Sequence, residues 1–522
     1  MFWNFFIPKS AASTLSLLSM AWDFAPHFNM YAMLRRYGTV IPLAAPPADG
    51  SGWSSATYPQ GIHALMATVA EVVAGPTYAG NDAETLLFLR LVGLVGTIST
   101  VLVVASLTSI PSLRHQPKFT LPLAALVAAA WLVGPGAIPV FGGFPNFALG
   151  VAVCVAVLSI MRLQRHSNSI RIAVLFSMSV VSISHNWVLL LALCAPACLI
   201  ILATEARMFR QQALTIQVIW AVALAVAVAG ASLAAWQLRQ LQLSPEDVLT
   251  TPGGITQPDW GMDLTFVSVC AICFLLLFKN WWLADRPDRR LMIGIMGTTG
   301  SAVVGGLMAA GFGIWQIATA HALSYYFYKF GLAAMMLAIA AAAMAGGEIL
   351  IPRFSQWTSG RRIPTVALTF ATIGAVGAFG WPTPILDHLG LASRAPGSAA
   401  QAIQARALNS MDGQPNAIAQ KLVAISHYDS NHPFIYVGYV NGLDPMLAAQ
   451  WSLALQGKWT EHIQQGIPYA KALYNGPSQV PQAIQGVLTN VTDLNVLVDA
   501  RLVPELRNAF PAYADRIVGL PD

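Results

Sequence analysis

Four windows of this chain, 119–140, 213–236, 264–283 and 325–350, run for about twenty residues almost without charge, and each is long enough to cross a hydrocarbon core of roughly 30 Å. Only a helix satisfies its own backbone in lipid, so these windows read as transmembrane helices. Composition agrees: of 522 residues 56% are hydrophobic and 10% charged, whereas a soluble domain carries roughly a quarter charged residues. Extending the reading along the chain predicts ten spans, near 84–110, 119–140, 144–162, 170–186, 187–204, 213–234, 264–283, 290–315, 325–350 and 362–381.

Loop charge orients these spans. Alternate loops hold Arg114 and Lys118; Arg162, Arg165 and Arg171; Arg207 and Arg210; Lys279, Arg286, Arg289 and Arg290; and Arg353, Arg361 and Arg362, fourteen in all, against Arg239 alone in the other set. The first set is therefore expected to be cytoplasmic. The formal charge of +5 is a topology signal under this reading, and no nucleic-acid partner is expected. All five cysteines, Cys154, Cys194, Cys198, Cys270 and Cys273, fall inside apolar segments, so Cys270 and Cys273 read as small packing residues.

Three domains follow: 1–83 as a first extracytoplasmic loop with short helices, 84–381 as the transmembrane helical domain, and 382–522 as a small mixed α/β extracytoplasmic domain. In the tail, 399–422 has a helical period, and 432–440 and 495–498 have strand-like content. The start is unusual. Residues 1–22 have no basic n-region and are interrupted by Pro8 and Lys9, which predicts either a short imperfect helix or, preferred here, a chain beginning inside a loop that helices precede.

The chemistry-bearing residues sit on the expected extracytoplasmic side. Asp23 and His27 are four residues apart, and Pro26 suits the first turn of a helix through 28–36, placing Asp23 at or before its N-terminus. A carboxylate there accepts backbone N–H bonds, which favours its ionised form; plain helix capping is the competing role. Downstream lie Tyr58, Pro59 and His63; Phe144, Pro145 and Asn146; His185 and Asn186; and Tyr325, Tyr326, Tyr328 and Lys329. A lysine one turn inside an apolar helix is costly unless it pairs or snorkels, which marks Lys329 as functional by default. The tyrosines suit either a binding site or an interfacial aromatic belt, and the asparagines either ligand hydroxyls or helix caps. Glu246, Asp247, Asp259 and Asp263 in the loop 235–263 are the candidates for a divalent ion, but scattered acids in a loop usually bind nothing, and no metal ligand set is assigned. No Gly-rich phosphate loop follows a strand, which argues against a nucleotide-sugar donor.

The paired motifs Trp22-Asp23…His27-Phe28 and Tyr58-Pro59…His63-Ala64-Leu65 resemble the first extracytoplasmic loop of actinobacterial membrane proteins with a glycosyltransferase-C-like architecture. That resemblance covers roughly residues 15–335 as an order of short motifs, and it implies an all-α polytopic fold of about ten transmembrane helices. It further implies inverting transfer of a sugar, arabinofuranose or mannose as guesses, from a polyprenyl-phosphate donor to an envelope glycan or lipid acceptor at the outer face of the plasma membrane. Asp23 is then the base, with His27 beside it, and Tyr58, His63, Asn146, His185, Asn186, Tyr325, Tyr326 and Lys329 bind substrate. A transporter or flippase and a non-catalytic envelope scaffold are the competing classes. The apolar centres of the predicted spans, without Asp or Glu, speak against ion-coupled transport.

Overall fold

The computed structural model describes residues 2–132, 134–163, 168–209, 212–240, 249, 260–283, 286–355, 417–428, 430 and 432–521. The chain divides into two compact units: one within 95–355 apart from 142–144, the other made of 2–94, 142–144 and the described residues from 417 onward. The first loop and the tail, expected as separate pieces, thus belong to one unit.

That mixed unit begins with a short 3-10 turn, Phe2–Phe5, and α1 (Ala11–Leu18), whose N-terminus is closed by a reciprocal Ser10–Ser13 capping box. Eight residues of helix are only about 12 Å long, so α1 is too short to cross a bilayer. Next come α2 (Phe24–Tyr37), ended by Gly38 in the left-handed region, α3 (Gly61–Ala74), and the first half of α4 (Asn81–Thr108).

The helical unit takes the rest of α4, α5 (Pro111–Arg114), α6 (Pro117–Leu132), α7 (Ala137–Phe141), α8 (Pro145–Leu163), α9 (Ser169–Trp187), α10 (Leu190–Phe209), α11 (Leu214–Arg239), α12 (Trp260–Leu283), α13 (Arg286–Ala320) and α14 (Tyr325–Ser355). Nine of the ten predicted spans fall on these helices, and the tenth, 362–381, lies outside the described residues. Among the described residues, six segments are long and apolar enough to cross a membrane: Asn81–Thr108, Pro117–Phe141, Pro145–Leu163, Leu214–Arg239, Met292–Ala320 and Tyr325–Ile349. The ten-span count is therefore not reached here, but the chain is a multi-pass membrane protein. Its two kinds of helix show why: α8 is buried along most of its length, while α11 exposes Leu214, Val218, Val222, Val226 and Leu233, a surface suited to lipid and not to water. A buried ion pair joins Arg162, in the last turn of α8, to Glu348 of α14 and is completed by the Ser112 hydroxyl, which donates to the same carboxylate.

The C-terminal part of the mixed unit holds α15 (Ala417–His427), β1 (Phe434–Tyr436), α16 (Pro445–Gln456), α17 (Val480–Asn490), β2 (Asn495–Asp499), α18 (Val503–Ala509) and β3 (Ile517–Leu520). The three strands form a parallel sheet in the order β1-β2-β3, with helical connections as parallel pairing requires. Two strands match the predicted segments; β3 was not anticipated. Of the expected helix over 399–422, the described portion is the start of α15.

An aromatic core explains why loop and tail join. Phe28 of α2 packs on Trp451 of α16 at 5.8 Å and on Phe88 of α4 at 5.5 Å, all three fully buried. Arg36 then donates to the carbonyls of Leu455 and Gln456, groups that the end of α16 leaves without helical partners. A bridge between Trp53 and Thr460 adds a backbone link.

Candidate functional site

In the mixed unit, Asp23 stands at the N-cap of α2, half-buried, in right-handed backbone, and its side chain makes no capping bond to the helix. The simple capping role is therefore not the one adopted. One turn later His27 faces His63 of α3, and ring nitrogens Nδ1 of His27 and Nε2 of His63 are 2.6 Å apart. The ring planes differ by 11° and the centroids by 4.9 Å. That separation is the N···N distance plus one ring radius at each end, so the imidazoles meet edge to edge and share one proton in a hydrogen bond. Both are buried. Burial pushes the His63 imidazole down to about 3, which makes it the neutral member of the pair near neutral pH.

Tyr58 places its ring edge against both histidines, at 5.9 Å from His27 and 6.3 Å from His63. It is held by the segment leading into α3, where the Gln60 side chain accepts from Ile41 and donates to the Ser55 carbonyl. Phe144 meets His27 edge-on at 6.5 Å. Its neighbour Gly143, at φ +85°, lies so near the Asp23–Phe24 peptide that a Cβ there would sit 2.9 Å from the Phe24 nitrogen. Asp23 and His27, paired by their spacing, and Tyr58 and His63, joined to them by the family resemblance, thus lie in one unit.

Sequence reasoning missed what lies below them. Asp23, His27, Tyr31 and Arg35 recur at every fourth residue, which on an α-helix makes one stripe. Tyr31 donates to Glu84 Oε2 at 2.6 Å, and Arg35 reaches Glu84 at 3.0 and 3.4 Å and the Thr77 carbonyl at 3.1 Å. Continuing the fourfold spacing past His27 would have pointed to Tyr31 and Arg35; nothing local marks Glu84 as their partner.

The helical unit holds the remaining candidates. Lys329 is 2% exposed, donates to Tyr325 Oη at 3.0 Å, and lies over the rings of Tyr325, Trp187 and Phe147 at 5.1, 5.2 and 5.5 Å. It points into an aromatic cage and does not snorkel. Tyr326 stacks on Trp187 at 6.5 Å, so the tyrosines at the head of α14 belong to this cage. Asn146 donates to the Asn186 carbonyl at 2.9 Å, and Asn186 donates to the Ser182 carbonyl, fixing the head of α8 to the end of α9. His185, on another face of α9, hydrogen-bonds the backbone of Gly230 on α11 and is not part of the Asn146–Asn186 link. Of the loop acids, Asp263 is buried in α12, while Glu246, Asp247 and Asp259 lie outside the described residues. Among the described residues no three His, Cys, Asp or Glu side chains come together as a metal site would need, and the five cysteines are free thiols.

These features define a multi-pass membrane protein with buried polar clusters in both of its units. No family model matches the chain, and no curated protein matches it in sequence. Solved structures similar to it include the archaeal oligosaccharyltransferase AglB from Archaeoglobus fulgidus in complex with an inhibitory peptide and a dolichol-phosphate, at 11% identity and a TM-score of 0.43, covering 92% of this chain and 66% of that one. The Archaeoglobus fulgidus oligosaccharyltransferase tethered with an acceptor peptide gives 10%, 0.46, 97% and 70%, and its apo form 12%, 0.41, 92% and 66%. This chain spans about two thirds of the length of those proteins.

Proposed function

We propose that this chain is a membrane glycosyltransferase that moves a sugar from a polyprenyl-phosphate donor to a hydroxyl of a cell-envelope glycan or lipid, with inversion, on the extracytoplasmic face of the plasma membrane. The observation that carries this reading is the half-buried Asp23 at the head of α2, one turn from the His27 that bonds His63 and meets Tyr58. Asp23 takes the proton of the acceptor hydroxyl as its oxygen bonds to the anomeric carbon, and the bond from that carbon to the lipid phosphate breaks with the electron pair leaving on phosphate. His27 and His63, hydrogen-bonded to each other, position the acceptor side. Lys329, with the Tyr325 hydroxyl beside its ammonium, is assigned to the donor phosphate, where a cation stabilises the leaving group. Tyr326 and Trp187 offer ring faces to sugar or prenyl chain. The tail domain shares the face of Asp23, and arabinofuranose and mannose are the sugars to try first.

The deciding experiment incubates the purified chain in bilayers with a panel of polyprenyl-phosphate sugars and envelope glycans. Asp23→Asn, nearly isosteric, is expected to lower transfer by on the order of 100-fold or more while leaving expression and thermal stability intact. Unchanged turnover removes Asp23 from the role of base. Lys329→Met is expected to weaken donor use more than acceptor use; equal donor affinity in variant and wild type removes Lys329 from the phosphate.

A further inference from the structure

The helix that carries His63 has a second face. Ile62, His63, Met66, Ala67 and Ala70 of α3 are buried, while Leu65, Val72 and Val73 on the other side are 51, 82 and 71% exposed. Leu65, Thr68 and Val72, three and four residues apart, make a continuous stripe of exposed positions along the helix. Large aliphatic side chains this open in a stripe need a covering surface.

The chain itself says which surface lies nearest. Only residues 75–80 separate α3 from α4, one of the segments long and apolar enough to cross a bilayer. That connection is folded tightly against the head of α4: Arg35 donates to the Thr77 carbonyl, the Ala79 amide donates to Glu84, and the Tyr78 hydroxyl donates to Asn81. The Arg35 guanidinium also measures the offset between the two helices directly. It contacts Glu84, in the first turn of α4, at 3.0 Å and Glu71, in the last turn of α3, at 4.0 Å. Val72 and Val73 follow Glu71 in the chain and therefore lie at the level of the first turn of α4. There α4 is still polar, with Asn81, Asp82, Glu84 and the exposed Arg90 ahead of the charge-free run that begins at Leu91, which is the stretch a spanning helix keeps among the headgroups.

We infer that α3 is an interfacial helix, resting its Leu65–Val72–Val73 face on the boundary between headgroups and acyl chains while its opposite face presses His63 onto His27. The occupant of the exposed stripe is the bilayer. An apolar face on one side and a fixed hydrogen bond on the other give α3 a fixed roll angle, so the His27–His63 pair is held at the level of the lipid phosphates. This inference stands on placement alone and is independent of the transfer reaction proposed above.

Site-directed nitroxides at Leu65→Cys and Val72→Cys, in the full chain with its five native cysteines replaced by alanine and reconstituted in phosphatidylcholine vesicles, test it. Both labels are expected to collide several-fold more with oxygen than with a water-soluble nickel chelate, whereas a label at Gln482→Cys, exposed on α17, shows the reverse. Labels at 65 and 72 that match the Gln482 label overturn the inference in favour of water. Labels shielded from both reagents overturn it in favour of a protein cover, such as residues 356–416. Where the cysteine-free chain fails to fold, a benzophenone amino acid at Val72 in the native background gives a second reading: adducts to phospholipid support the interfacial placement, and adducts within the chain overturn it.

Discussion

At the C-terminal end of α2, Arg35 closes on the Glu84 carboxylate at 3.0 and 3.4 Å while Tyr31 and the Ala79 amide donate to the same group. Two turns nearer the N-terminus, on the same stripe, His27 shares a proton with another imidazole and Asp23 stays half-buried at the helix head. Both ends bury polarity, but one does so with full opposite charges and the other with two imidazoles, of which His63 is held uncharged by burial. Charges taken out of water recover their desolvation cost only with complete pairing, and Glu84 is given it. One end of the helix is thus tied by paired charges, and the other leaves Asp23 half-buried at the helix head.

The sharpest way to break this contrast is at the stable end. Arg35→Met leaves Glu84 buried without its cation and is expected to cost about 3–5 kcal/mol, the usual loss when one partner of a buried pair is removed. Thermal unfolding of the full chain in detergent reads the effect. A melting temperature equal to that of the wild type would mean that Glu84 finds water, and that this end is no better tied than the other.

At the neutral end the signature is a pH slope. His63 sits near 3 when folded and near 6.5 when unfolded, because burial disfavours its charged form. Below about pH 6.5 the unfolded chain takes up a proton that the folded chain refuses, so stability falls as the pH drops toward 3, by up to about 1.4 kcal/mol per unit. Above 6.5 this group adds no slope. His63→Gln, which cannot titrate, is expected to flatten the decline between pH 6.5 and 5; unfolding curves of the variant that keep the wild-type slope would show that another group is responsible.

What the sequence disclosed and what it withheld divide along the same line. Helix positions are local properties, and the hydropathy reading located α4 and α8 to within three residues at either end. The head of α2 was equally legible, since Asp23, His27 and Pro26 lie within one turn and each type has a positional meaning. The hydrogen bond joining His27 to His63, thirty-six residues apart, is tertiary, as is the rejoining of Arg35 with Glu84. Taken singly, each of those charges reads as a solvated one. Lys329 was legible as an oddity, but its cage needed Phe147 and Trp187 from α8 and α9, which no spacing announces. Strand β3 escaped because four residues, Ile517–Leu520, carry little periodicity; pairing with β2 makes them a strand.

The smallest expected change in stability separates the two ends most cleanly. Gly143 at φ +85° and Gly38 at φ +64° both occupy backbone that an L-residue adopts only at a penalty of about 1–2 kcal/mol, so alanine at either position should lower stability by at least that much. Their surroundings differ. Around Gly38, at the C-terminal end of α2, a Cβ meets nothing within 4 Å, whereas at Gly143 it would press on the Phe24 nitrogen at 2.9 Å and on the Asp23 Cβ at 3.3 Å. The atoms in the way at the second site are mostly main chain, so relief requires the peptide between Asp23 and Phe24 to move and the carboxylate to move with it. Gly143→Ala is therefore expected to lower transfer several-fold beyond what its melting temperature explains, and Gly38→Ala, which meets no clash, to cost less stability and leave transfer unchanged. Equal turnover in the two variants would show that the position of Asp23 is not what the head of α2 contributes.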